Sequence, residues 1–213
     1  MSTDIQERAT FKLCDYDLKV QDYQQILVWA KELNKDPEYI FEKLEDAEYQ
    51  AYEGDTLKLE IKGCAIVTLV WDFHELPLND FQWIDDLSIA TIVFKNGLGD
   101  EGLSLNLPAL RRLYCSENNL KQLELANTPE LRLLDCSDNS LTSLSVDSVQ
   151  NLEILRCNNN KLTSLPVPTL KNLSELNFSN NPKRKFNIDC VYSTEQLVYP
   201  GSDGSVCHAK QNA

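Results

Sequence analysis

The stretch that decides the fold is Leu110-Arg-Arg-Leu113-Tyr-Cys115-Ser-Glu-Asn118-Asn-Leu120, in which leucines, a cysteine and an asparagine hold fixed positions. Three further copies follow at an interval of 21 residues, and they open at Leu131, Leu152 and Leu173. The last copy has Phe178 in the cysteine position. Two apolar residues close each copy: Leu123/Leu125, Leu144/Val146, Leu165/Val167 and Phe186/Ile188. A fixed period of this length predicts a solenoid, because stacked units bury a core that one unit cannot bury alone.

The order of residues within a copy predicts a short strand followed by a turn. Side chains alternate between the faces of a strand, so Leu113 and Cys115 should point inward while Arg112 and Tyr114 point outward. The asparagine then turns the chain, and its amide can pair with backbone groups that would otherwise be buried without a partner. Successive copies should therefore stack as neighbouring parallel strands.

Two weaker copies can be read upstream of the regular ones. One spans Ile66 to Leu76, if His74 occupies the asparagine position, and the other spans Ile89 to Gly97. Terminal units of solenoids are commonly degenerate. The sequence therefore predicts about six units, the first two irregular.

The pattern resembles the leucine-rich repeat, L-x-x-L-x-L-x-x-N-x-L, with cysteine in the third apolar position. It is most similar to bacterial repeats of the internalin J kind, and the clear match covers residues 110–188. The resemblance implies an α/β leucine-rich repeat solenoid with a parallel β-sheet on its concave face. It also implies a non-enzymatic module that binds a protein partner through that face, compatible with a bacterial effector.

The chain on either side of the array reads differently. Residues 1–55 predict an N-terminal helical cap or small helical domain, residues 56–188 the repeat array, and residues 189–213 a C-terminal cap and tail. One helix is expected from a capping pair of Asp22 and Gln25, and a second from Asp36-Pro37-Glu38. The apolar stripe expected for the second helix is Ile40, Phe41, Leu44, Ala47 and Ala51, ended by Gly54-Asp55.

The seven cysteines are interpreted as thiols rather than metal ligands. Cys115, Cys136 and Cys157 share one inward position and should fill a narrow core, because no Cys-x-x-Cys spacing or nearby histidine completes a tetrahedral site. Cys14 and Cys64 are also expected in the core. A bridge between the last two, Cys190 and Cys207, is conceivable, but an odd total without a signal peptide favours reduced thiols.

Motifs for catalysis are missing from the sequence. It contains two histidines, and His208 lies near the end of the chain, where an oriented catalytic base is not expected. There is no phosphate-binding loop, dinucleotide fingerprint or zinc-hydrolase motif. We therefore expect no enzymatic activity and no cofactor.

The charge is unevenly distributed along the 213 residues. The net charge is −13, and the whole excess of acid precedes residue 110. This balance argues against direct nucleic-acid binding, and no apolar run is long enough for a membrane span. Without a recognisable signal peptide we expect a cytoplasmic protein, or one exported by a signal-less route, and we favour a monomer.

The predicted partner-binding site is the outward face of the strands, where exposed apolar, aromatic and arginine side chains are typical of interaction surfaces. Its residues are Arg112, Tyr114, Leu133, Asp135, Ile154, Arg156, Glu175 and Asn177. An alternative function is an acidic inhibitor, a nucleic-acid mimic that blocks a basic site on a nucleic-acid-binding protein. Its binding residues would lie in the acidic N-terminal half.

Overall fold

The computed structural model describes residues 10–78, 87–97, 102–165 and 170–182. These residues form two helices, α1 (Val20–Leu33) and α2 (Pro37–Asp46). They also form thirteen strands, which in chain order are β1 (Thr10–Leu13), β2 (Tyr16–Lys19), β3 (Glu48–Gln50), β4 (Thr56–Lys58), β5 (Glu60–Lys62), β6 (Ala65–Asp72), β7 (Thr91–Lys95), β8 (Leu103–Leu105), β9 (Arg112–Tyr114), β10 (Leu123–Leu125), β11 (Leu133–Asp135), β12 (Ile154–Arg156) and β13 (Glu175–Asn177).

The main sheet follows the repeats in order. Within the described ranges it has seven strands, ordered β13-β12-β11-β9-β7-β6-β5. Strands β6, β7, β9, β11, β12 and β13 run parallel, and β5 closes one edge in antiparallel pairing with β6. The weaker repeat copies supply β6 and β7, while β8 and β10 pair in a separate parallel ladder. The fold is thus the α/β leucine-rich repeat solenoid that the resemblance implied.

Among the described residues, the core lies between the main sheet and the closing apolar pairs Leu123/Leu125 and Leu144/Val146. Leu113, Leu134 and Leu155 stand in register on adjacent strands and are fully buried. At the open end of this core, Trp29 of α1 packs edge-on against Trp71 of β6, with ring centroids 4.7 Å apart. The two helices therefore cover apolar surface that the first repeat would otherwise expose to water.

Helix α2 begins as predicted, whereas α1 does not. Pro37 is the first residue of α2 and Asp36 precedes it as N-cap. Helix α1 starts at Val20, directly after β2, so the capping pair of Asp22 and Gln25 is wrong. Both side chains are instead buried, and Asp22 accepts a hydrogen bond from the Ile66 N–H of the first repeat strand.

The end of α2 is a second correction. The helix ends at Asp46, and the next residues form an antiparallel hairpin of β3 and β4 in which Tyr49 faces Leu57. Ala47 and Ala51 are buried in contact with this hairpin's neighbours rather than on a helix. Their spacing of four residues fits a helical stripe as well as it fits a hairpin, so periodicity could not separate the two. Gly54, at φ +96°, belongs to the hairpin's turn.

The asparagine ladder is confirmed in the regular units. The amides of Asn118, Asn139, Asn160 and Asn181 each donate to a carbonyl of the preceding unit, at 2.8–2.9 Å. His74 does not take this role: its side chain is exposed, and its backbone N–H donates to Asp72 at 3.0 Å. A bulky imidazole thus stands outside the ladder that the smaller amide builds.

The cysteines divide into two groups. Cys115, Cys136 and Cys157 are fully buried free thiols, which agrees with their predicted role as core residues. Cys14 is exposed and Cys64 is half-buried, so placing them in the core was wrong. Both occupy turns at positive φ, where neighbouring strands reverse direction outside the core. Cys190 and Cys207 lie outside the described residues.

Candidate binding surface

The eight predicted site residues lie on one face of the main sheet. Two rows of side chains run across β9, β11, β12 and β13 in strict register. The first row is Arg112, Leu133, Ile154 and Glu175, and the second is Tyr114, Asp135, Arg156 and Asn177. The period of 21 residues therefore predicted correctly which side chains stand side by side.

The exposure expected for these residues is wrong at half of the positions. Tyr114 is 1% exposed, Leu133 5%, and Asp135 and Arg156 6% each. The remaining four, Arg112, Ile154, Glu175 and Asn177, are half-buried. The face is therefore covered over much of its area.

The cover is a segment of the same chain, residues 47–58, which we call the crossing hairpin. It comprises Ala47, β3, the turn that contains Gly54, and β4. Its apolar side chains pack with outward side chains of four strands of the main sheet in a second small core. This core consists of Ala47, Ala51, Leu57, Val70, Val93, Tyr114 and Leu133, with Tyr49 and Ile154 at its edge.

The turn of the crossing hairpin carries an acid that meets the sheet's buried arginine. Glu53 Oε1 lies 2.6 Å from Arg156 Nη1, and Glu53 Oε2 accepts a hydrogen bond from the Tyr114 hydroxyl at 3.2 Å. The guanidinium is held on its other side by Glu175, whose Oε1 accepts from Arg156 Nε at 2.8 Å. The centroid of the Tyr52 ring lies 4.4 Å from Cζ of the Arg156 guanidinium. Arg156 is thus enclosed by two carboxylates and an aromatic ring.

These contacts set the ionisation of the groups involved. Burial opposes the charge on Arg156, but hydrogen bonds to Glu175 and Glu53 outweigh it and raise the pKa of the guanidinium. Burial likewise opposes the charge on Glu53, yet its bonds with Arg156 hold the pKa of that carboxyl below its ordinary value. Burial raises the pKa of Tyr114, and the nearby Glu53 charge adds to the effect. The cluster therefore carries fixed charges near neutral pH.

Two more cations of the sheet face the crossing hairpin. Arg112 Nη1 lies 4.0 Å from the carboxylate of Asp55, and Lys95 Nζ donates to the Glu48 carbonyl at 3.0 Å. Although the chain is acidic overall, this side of the sheet presents basic groups to an acidic turn. The arrangement has the complementary charge that steers and aligns binding partners.

Beside the crossing hairpin, a row of polar side chains remains accessible. Asp138, Asn159 and Asn180 occupy equivalent left-handed positions at the ends of successive strands. Asn180 donates to Asn159, and Asn159 donates to Asp138, each at 2.7 Å. This row and the half-buried Asn177 form the open margin of the concave side.

Sequence reasoning missed Tyr52 and Glu53, which the structure places at the centre of the surface. The signal available was the Gly54-Asp55 pair, a common turn sequence between strands; it had been assigned to the end of a helix. Asp135 was among the predicted residues, but its carboxylate contacts the end of its own strand, where Ser137 Oγ donates to it at 2.7 Å. Burial raises the pKa of Asp135.

The described residues contain no group of three or more metal-ligating side chains close enough to hold an ion. Neither helix of the described chain is long and apolar enough to cross a membrane. The surface built from these residues offers charge, aromatic area and hydrogen bonds, which are features of protein interfaces.

The fold that these features define is a leucine-rich repeat solenoid with 21-residue, cysteine-containing units. A family model described as Leucine Rich repeats (2 copies) matches residues 150–189, and one described as Leucine Rich Repeat matches residues 130–152. The resemblance to leucine-rich repeats drawn from the sequence is thereby confirmed over residues 130–189.

Among solved structures, the chain is similar to two internalins of Listeria monocytogenes. It is 29% identical to the functional domain of InlJ, covering 52% of this chain and 24% of that one, with a TM-score of 0.43. It is 22% identical to InlP, covering 76% of this chain and 58% of that one, with a TM-score of 0.34. The structure of InlJ is described as including a cysteine ladder.

One curated relative matches a short stretch only. The chain is 61% identical over 31 residues to tRNA threonylcarbamoyladenosine dehydratase of Escherichia coli (strain K12). The match covers 15% of this chain and 12% of that enzyme's length.

Proposed function

We propose that this chain is a non-enzymatic recognition module that binds a protein partner on the concave side of its repeat array. The observation that carries the proposal is that this face already holds a polypeptide segment, the crossing hairpin. It does so with an ion pair of Glu53 and Arg156, an aromatic contact and a small apolar core. Buried arginine and tyrosine side chains are the residue types that dominate binding energy at protein interfaces.

The proposal places the protein in a reducing compartment, which is either the cytoplasm of its own cell or, after export, the cytoplasm of a host cell. Cys115, Cys136 and Cys157 are free thiols, which supports this setting, since extracellular proteins usually oxidise paired cysteines.

The test is affinity capture from a lysate of the source cell, with cross-linking and mass spectrometry. Asn177→Arg places a bulky charge on the open margin of the concave side, whereas Asn151→Arg places the same charge on an exposed turn outside the strand rows. We expect one partner to be captured by the wild-type chain and by Asn151→Arg, and to be lost with Asn177→Arg. Equal capture by both variants would contradict the proposal. Thermal melting shows whether each variant is folded.

A second candidate, the acidic inhibitor, is supported by a cluster of carboxylates on the cap. Three carboxylates of α2 lie near the thiol of Cys14: Glu45, Glu42 and Glu38. Partial burial raises the pKa of this thiol, and the negative charge of the three carboxylates raises it further. If a basic partner binds this cluster, the double variant Glu42→Lys, Glu45→Lys should lose it while Asn177→Arg retains it. That pair of results would replace the concave-side proposal with the acidic inhibitor.

A further inference from the structure

The crossing hairpin lies on the main sheet as a bound peptide lies on a receptor. Strands β3 and β4 pair with each other in a sheet of their own and are not part of the main sheet. The contacts to the face beneath are made by side chains of the turn, by a few apolar residues and by Lys95, whose Nζ donates to the Glu48 carbonyl. An isolated two-stranded hairpin is marginally stable in water, so its position depends on these contacts.

The sheet supplies a preformed site for one carboxylate. Glu175 fixes the Arg156 guanidinium from the side away from the turn, at 2.8 Å. The free Nη1 edge and the Tyr114 hydroxyl then converge on the two oxygens of Glu53, at 2.6 and 3.2 Å. A charged donor and a hydroxyl placed on separate oxygens give a short, oriented, charge-assisted pair.

The site also selects what stands beside the carboxylate. The residue before it, Tyr52, stacks on Arg156 although 80% of its own surface is exposed. Small apolar residues, Ala51 among them, pack near Tyr114 and Leu133. The occupant that fits is therefore a turn with an aromatic residue, an acid next to it, and small apolar flanks.

The crossing hairpin buries little apolar area for a segment that covers so much of the face. Its buried apolar side chains are Ala47, Ala51 and Leu57, and the half-buried Tyr49 adds one ring contact with Tyr114, at 5.6 Å between centroids. Water reaches both Tyr52 and Glu53 at the turn.

We infer that the crossing hairpin is an internal stand-in for the partner, and that the partner presents an acidic turn with an adjacent aromatic residue that displaces it. This inference rests on the proposed function and names the partner's chemistry. On displacement, the incoming carboxylate takes the place of Glu53 on Arg156 and Tyr114. The apolar flanks of the partner then cover Leu133 and its neighbours.

The experiment supplies the crossing hairpin as a separate ligand. The probe is a fluorescent peptide of residues 47–58, cyclised through added terminal cysteines, and its matched control is the same peptide with Glu53→Gln. Both are titrated against the full chain, its Glu53→Gln variant and its Tyr52→Ala variant. Each chain variant weakens one contact of the internal turn and leaves Arg156 and Tyr114 in place.

We expect the acidic peptide to bind both variants at least about tenfold more tightly than it binds the wild-type chain, because the internal competitor is weakened. The control peptide should bind each of the three chains about tenfold more weakly than the acidic peptide does. Equal binding to the variants and the wild type, equal binding of the two peptides, or no binding would each overturn the inference. Tyr52 is largely exposed, so its variant keeps the test valid if Glu53→Gln fails to fold.

Hydrogen exchange of the wild-type chain gives an independent measurement. Within the crossing hairpin, the Ala51 N–H donates to the backbone carbonyl of Asp55 at 2.8 Å. Within the main sheet, the Cys136 N–H donates to the backbone carbonyl of Arg156 at 2.8 Å. Displacement requires that Ala51 exchange much faster than Cys136. Equal protection would overturn the inference, because the crossing hairpin would then open only with the whole array.

The inference and the proposed function can fail separately. If a partner is captured through the concave side but the peptide does not bind, the stated chemistry is wrong and the proposed function stands. If the peptide binds as expected but no partner depends on Asn177, the site recognises acidic turns while the proposed function fails.

Discussion

The buried carboxylate of Asp22 in α1 accepts a hydrogen bond from the backbone N–H of Ile66, at 3.2 Å, and so ties the cap to the first repeat strand. Asp22 is nearly inaccessible to water, and this burial raises its pKa from 3.8 to about 6. The bond from Ile66 and the charge of Lys19 lower the pKa in part. Burial therefore favours the protonated form of Asp22 more than it would be favoured in an exposed aspartate.

This relationship predicts how stability changes with pH. Because its native pKa is raised, Asp22 binds more protons in the folded chain than in the unfolded chain between about pH 4 and pH 6. The stability that protonated Asp22 gives to the folded chain is complete below about pH 4 and is lost as the pH rises through about 6. Relative to Asp22→Asn, which is neutral throughout, the wild type should lose up to about 3 kcal/mol between pH 4 and pH 7.

Urea unfolding of both chains at several pH values measures the effect. The comparison uses the difference between wild type and Asp22→Asn at each pH, because other carboxylates with lowered pKa, such as Glu53 and Asp72, change stability in the opposite direction. A difference that stays constant from pH 4 to pH 7 would contradict the prediction.

The fold could be predicted from the sequence because its four regular units repeat without insertion. Leu113, Cys115 and Asn118 recur at a fixed interval, and the parallel stacking of strands follows from that register alone. The start of α2 also followed from Asp36-Pro37-Glu38. These signals are local or periodic, so a single sequence contains them.

The state of the candidate site could not be predicted in the same way. Alternation along a strand tells which face Tyr114 occupies, but not whether another part of the chain covers that face. The covering contact joins Glu53 to Arg156, 103 residues apart, and no repeat links them. Tertiary contacts of this kind determine burial, and they leave no period in the sequence.

The asparagine ladder gives a second prediction, on stability. Asn139 Oδ1 accepts from the N–H of Leu120 at 2.8 Å, and Asn139 Nδ2 donates to the Cys115 carbonyl at 2.8 Å. Asn139→Ala should lower the free energy of unfolding by about 1–3 kcal/mol for each buried group left without a partner. The matched control is Asn158→Ala in an outer position of the next unit, with an expected change within about 0.5 kcal/mol. Chemical denaturation compares the two, and equal losses would refute the ladder's role.

The thiols give a third prediction, on reactivity. Burial raises the pKa of Cys157 to about 12 and also raises the pKa values of Cys115 and Cys136, so all three should stay unmodified by an alkylating reagent in the native chain. Cys14 also has a raised pKa, but it is exposed and should be modified before these three. Peptide mapping by mass spectrometry at timed intervals, native and denatured, measures the order. Native modification of the buried three at the rate of Cys14 would contradict the packing.

The buried tyrosine of the second small core gives the last prediction. Had Tyr114 been exposed, as its outward position suggested, replacing it would change stability by no more than about 0.5 kcal/mol. It is instead 1% exposed, packed against Tyr49 with ring centroids 5.6 Å apart. Tyr114→Ala should therefore cost about 3–5 kcal/mol, as for other large aromatic side chains removed from a core. Tyr114→Phe keeps the ring, loses only the hydroxyl bond to Glu53, and should cost about 1 kcal/mol. Thermal and urea unfolding of the two variants measure the costs; a small loss in both would mean that the crossing hairpin does not cover this face in solution.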